Sequence, residues 1–123
     1  MGTDFAQDLM EAATDAVIII DHLGVMQLVN SAAGRLFGYP STDLVGQNMG
    51  KLMPAAERAR HDGSIAQYLQ TGASLGRGRE VEVQRSDGSL FPASLSVGRI
   101  GATAPPRFVG FIRDLTDYHR ALS

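Results

Sequence analysis

Val17-Ile18-Ile19-Ile20 is a run of four β-branched residues with no polar residue among them. Two substituents on Cβ stiffen χ1 and favour the pleated backbone, so the run predicts a strand from Ala16 to Ile20. Its apolar character does not alternate, which predicts burial on both faces, as in a central strand rather than an edge. In a chain of 123 residues, enough for one domain, the rest of the sequence has to supply both flanking strands and a covering layer. Asp21-His22-Leu23-Gly24 reads as a tight turn, and Val25 to Val29 as the returning strand. Ahead of the run, Thr3 or Asp4 can cap a short amphipathic helix carrying Phe5, Leu9, Met10 and Ala13 at helical spacing.

The period changes after Asn30. Ser31 is placed to cap a helix bearing Ala32, Ala33, Leu36 and Phe37 and closed by Gly38, while Asn30 caps or braces a turn. Pro40 to Asp43 starts a second helical turn ending at Val45-Gly46, and Asn48 to Met53 gives a third that Pro54 ends. Ala55 to Gln70 reads as a longer helix with His61, Ile65, Tyr68 and Leu69 on one side. Strands follow: Arg79 to Arg85, a hairpin turn at Ser86-Asp87-Gly88-Ser89, Leu90 to Ile100 with Leu95 and Val97 on one face, and Arg107 to Ile112. Two leading and three trailing strands form one antiparallel five-stranded sheet if the middle helices cross over it, an α+β arrangement.

Composition narrows function. With no cysteine, the chain has no disulfide, cysteine zinc site, iron–sulfur cluster, covalently attached c-type haem or thiol nucleophile. A metal has to lean on His22, His61, His119 or carboxylates. Eleven basic against 13 acidic residues, a net charge of -2, offer nothing to a nucleic-acid backbone. No apolar run approaches the roughly 20 residues of a membrane span, and Ala16 to Ile20 is too short for a secretory signal, so a cytoplasmic location is expected. Enzyme signatures are missing too: Gly76-Arg77-Gly78-Arg79 precedes a strand instead of opening a helix, and His61-Asp62 has no spacing that recommends catalysis. The segment reads as non-catalytic.

Several phrases, in this order of elements, resemble the PAS sensor domains: Asp15-Ala16-Val17 to Asp21, Val29-Asn30-Ser31-Ala32-Ala33, Leu36-Phe37-Gly38-Tyr39, Leu44-Val45-Gly46-Gln47-Asn48, Arg85-Ser86-Asp87-Gly88, Phe91-Pro92 and Gly110 to Thr116. Leu52-Met53-Pro54, Arg60-His61-Asp62-Gly63, Tyr68 and Thr71-Gly72 are similar to the haem-binding oxygen sensors of the FixL type. The resemblance implies a PAS fold over 15–116, short helices on one sheet face, an N-terminal flanking helix over 1–14, and the start of a linker to an output domain over 117–123. It also implies b-type haem with His61 as the proximal iron ligand and metal site. Arg79 would donate to a propionate or to bound oxygen, Leu95 and Val97 would form the apolar distal wall, and Ile65 and Tyr68 would complete the cofactor contacts.

Neutral imidazole suits ferrous iron and leaves the opposite position open to a gas, and the planar arginine fork can change partners. The stretch from His61 to Arg79 is about two residues shorter than in the oxygen sensors by that comparison, with Ser64, Gln67 and Ser74 where they carry a tyrosine, a basic residue and an apolar one. The alternative is a cofactor-free PAS module for dimerisation through the N-terminal helix and sheet and for signal relay within the same chain, with at most a small organic ligand. Non-covalent flavin is a third reading, since the missing cysteine excludes the photoadduct of the light-sensing relatives. No contact with nucleic acid or membrane is expected of the segment.

Overall fold

The structure, a computed structural model, describes residues 8–54, 79–101 and 104–122, with Arg79 described by its backbone alone. Five strands make one sheet in the order β2-β1-β5-β4-β3: β1 Ala16–Ile20, β2 Met26–Val29, β3 Arg79–Gln84, β4 Leu90–Ile100 and β5 Arg107–Asp114. All four pairings are antiparallel. Residues 8–12 are helical (α1), α2 is Ser31–Phe37, α3 is Ser41–Leu44, a 3-10 turn covers Met49–Leu52, and α4 is Thr116–Leu122. The predicted helix over Ala55 to Gln70 lies outside the described residues.

The β-branched run is an interior strand. β1 sits between β2 and β5, and Ala16, Val17, Ile18 and Ile20 are buried, although the central place belongs to β5. The turn after β1 is held by Asp21, whose carboxylate accepts from the N–H groups of Leu23 and Val25 at 2.9 Å each, and Gly24 supplies the positive φ of 86° that a side chain resists. Val25 consequently pairs with Asn48 in an isolated bridge, and β2 starts one residue later than expected.

The cap of α2 is Asn30, not Ser31. Its carboxamide oxygen accepts from Ala33 N–H, and Ser31 is the first helical residue. Gly38, at φ 80°, closes the helix by donating its N–H to the Gly34 carbonyl. α3 stops at Leu44, short of the expected Val45-Gly46, because Val45 is already extended. The third helical segment is a 3-10 turn capped by Asn48, whose side chain accepts from Gly50 N–H. Ser86 ties the hairpin to the end of α2, donating its N–H to Phe37 O and its hydroxyl to Gly38 O, each at 2.8 Å.

β3 ends at Gln84, since Arg85 N–H bonds Ser89 O to close the turn. β5 runs two residues past the expected Ile112, because Arg113 and Asp114 still pair with Ser94 and Ala93. The core fills the space between one sheet face and α2, α3 and the 3-10 turn. Phe37, Phe108, Met26 and Leu44 are fully buried there, and the Phe37 and Phe91 rings lie 5.8 Å apart.

Candidate functional site

Residues directly opposed on antiparallel strands share a face, so the register writes the inner face of the sheet as rows. One row runs Ala16, Ile112, Leu95, with Arg79 next in register through its backbone. The adjacent row runs Val29, Ile18, Gly110, Val97. Ile18 and Ile112 are buried, whereas Leu95 and Val97, with Leu36 and Val81, pack against the core and stay only partly covered. Between them Gly110 contributes no side chain in the middle of the central strand. A Cβ there would meet Leu95 Cδ1 at 3.6 Å, Ile18 O at 3.8 Å and Ile112 Cδ1 at 4.0 Å, so the position has room for one and leaves a recess.

The result is an apolar wall with a shallow gap, about the size of a methyl group, at Gly110. Of the residues the sequence assigns to a cofactor, Leu95 and Val97 stand side by side on this wall, and Arg79 ends the Leu95 row. His61, Ile65 and Tyr68 lie outside the described residues. Among the described residues no group of three or more His, Asp or Glu could hold a metal ion. His22 stays in the β1–β2 turn, with a buried Nδ1 that makes no hydrogen bond, and His119 sits on α4 with its Nε2 3.0 Å from Glu80. Sequence reasoning missed Gly110 and Ile112 as part of the wall. The alternation of Phe108, Gly110 and Ile112 was the available signal, with the missing side chain at its middle.

A second locus gathers both chain flanks. Asn30, fully buried, accepts from Val17 N–H and Ala33 N–H and donates to the carbonyls of Met10 and Asp15. Glu11 reaches from α1 to accept from the N–H and hydroxyl of Ser31, and these bonds hold its carboxyl below the usual glutamate range. Arg113, near the end of β5, donates to Asp15 at 3.0 Å, and this bond raises the guanidinium pKa above its ordinary value. On the way out, Asp114 accepts from the N–H and hydroxyl of Thr116, the first residue of α4, and pairs with Arg85 at 3.3 Å. Arg85 also stacks on the Phe91 ring at 3.9 Å.

Comparison with known proteins agrees with this architecture. The family model described as PAS fold matches residues 5–115, and the chain belongs to that family. It is 40% identical over 116 residues to the sensor protein FixL of Bradyrhizobium diazoefficiens, covering 93% of this chain and 23% of the relative. It is 30% identical over 120 residues to the cell-division control histidine kinase PdhS of Brucella ovis, covering 91% and 11%. A PAS domain from Colwellia psychrerythraea superposes with a TM-score of 0.76 at 16% identity, covering 95% of this chain and 99% of that one. The chain thus spans less than a quarter of the length of these curated relatives, and is a PAS sensor module of the kind carried by signalling proteins. Among the described residues no helix is long and apolar enough to cross a membrane.

Proposed function

We propose that this PAS domain senses oxygen or another diatomic gas through b-type haem held by His61. The observation that carries the reading is the incompletely covered apolar wall of Leu95 and Val97 around the Gly110 recess, with Arg79 in register beside Leu95. The 40% identity to a FixL sensor protein supports it. Haem would supply a ferrous iron with one coordination position open to a gas. In this reading His61 would offer a neutral imidazole to the iron, and Ile65 and Tyr68 would complete the cofactor contacts. Leu95 and Val97 exclude water and limit the size of what enters. Arg79 would offer a planar fork suited to a propionate or to the bound gas, and would be the trigger in this reading.

The output domain belongs to the same chain in this reading, and the segment itself performs no chemistry. Adding haemin to the purified protein and recording the absorption spectrum tests the proposal. A Soret band that shifts on reduction and is lost in His61→Ala is expected. A missing band, or one unchanged in His61→Ala, overturns it.

A second reading, a cofactor-free relay working as a homodimer, draws on Phe111, which is 45% exposed on the opposite face of the sheet, and on the exposed Leu9 of α1. Light scattering on the intact chain and on one lacking residues 1–13 tests it. A dimer that becomes a monomer on truncation supports this reading, and a monomer in both rejects it.

A further inference from the structure

A cleft of about 330 Å³ lies at the corner where α2 crosses the start of β1 and the end of β5. Ala32, Arg35 and Leu36, on one side of α2, form one bank. Thr14, Asp15 and Ala16 form the second, and Ile112, Arg113 and Asp114 the third. The floor is apolar, with Ala16 and Ile112 buried and Leu36 packed on the core, while the rim is charged. Small side chains at Ala16 and Ala32 leave the hollow open.

Three of the four rim charges are committed: Asp15 is bonded to Arg113, and Asp114 to Arg85 and Thr116. Among the described residues Arg35 faces only the long-range field of Glu11, whose carboxylate is itself taken up by Ser31. We infer that this cleft is a second ligand site, which adjoins the Leu95–Val97 wall through Ile112 but opens at the α2 corner, and that it takes a small organic monocarboxylate. The apolar tail lies on Ala16, Ala32, Leu36 and Ile112, and the carboxylate is held by Arg35. The volume falls at the lower end of the range of small-molecule pockets, and an arginine fork matches a carboxylate in bidentate geometry. Asp15 and Asp114 on the rim balance the two arginines, which disfavours a dianionic phosphate.

A bound carboxylate also competes with Asp15 for Arg113. Asp15 leads to α1 and Arg113 leads to α4, so occupancy loosens an ion pair that joins the two flanks.

Titration of the whole chain with sodium hexanoate at constant ionic strength, followed by proton–nitrogen NMR, tests the inference. Saturable shifts at Ala16, Ala32, Leu36 and Ile112 are expected. Arg35→Gln should weaken binding about tenfold, the loss of one charge-assisted contact. Ala32→Leu, which fills the hollow, should abolish binding with the far-UV spectrum unchanged. Shifts that sodium chloride reproduces, that never saturate, that survive both substitutions, or that cluster at Leu95 and Val97 overturn it. The haem proposal is read separately by its Soret band, so either can fail alone.

Discussion

Asn30 is the residue on which most of the fold's local geometry converges. A side-chain amide offers two donors and an acceptor with two lone pairs, and here each is used, against four partners on three segments. Asn30→Ala removes the α2 cap and strands two N–H groups and two carbonyls, three of these four bonds being part of a buried cluster. The substitution should cost about 3 kcal/mol, read from urea denaturation. An effect below about 1 kcal/mol would mean that water replaces the amide.

Glu11 gives a pH dependence. Its folded-state pKa is depressed, so its bonds to Ser31 favour the docked α1 above the ordinary glutamate value of about 4.3 and are lost as the pH falls through the lower folded-state value. Amide exchange at Ser31 should accelerate in that acid window, and Glu11→Gln should flatten the dependence. From sequence, Ser31 and Asn30 are both good caps. The choice between them turns on Met10, Asp15 and Val17, all more than ten positions away, and no local pattern carries that.

At the level of elements, those with a strong local signature were legible. The β-branched run, the Asp87-Gly88 hairpin and the alternating Leu90 to Ile100 became strands where expected, because each combines propensity with a turn that fixes register. Boundaries moved by one or two residues wherever a long-range pairing decided them, as at Val25 and Asp114. The wall at Leu95 and Val97 was readable from alternation, whereas its recess was not, since Gly110 acquires meaning only once β1 and β4 flank it. Gly110→Leu should preserve the sheet, because a Cβ there meets neighbours only at ordinary contact distance, while the rest of the side chain fills the hollow. Circular dichroism should stay unchanged and haem uptake should fall at least tenfold if the chamber is where the ring lies.

For the molecule as a whole, the stability resides between sheet and inner helices, and α4 adds little to it. No residue of α4 is buried, and Tyr118 and Leu122 are 60% and 70% exposed. Its polar links to the sheet, such as His119 to Glu80, are exposed pairs of the kind worth under about 1 kcal/mol. A chain ending at Thr116 should therefore unfold within about 1 kcal/mol of the full one. A larger loss would show that α4 is part of the folding core.

The strand order has a mechanical corollary. β1 and β5 are antiparallel neighbours, with Ala16 opposite Ile112, so the chain comes in and goes out at the same end of the same ladder. Tension between the two flanks therefore loads those backbone bonds one at a time, like a zip, instead of all together in shear. The connections that join the two flanks directly at this end are Asp15 with Arg113 and then Ala16 with Ile112. Within that ladder a tug on the two flanks reaches Ala16 opposite Ile112 first and Ile20 opposite Phe108 last.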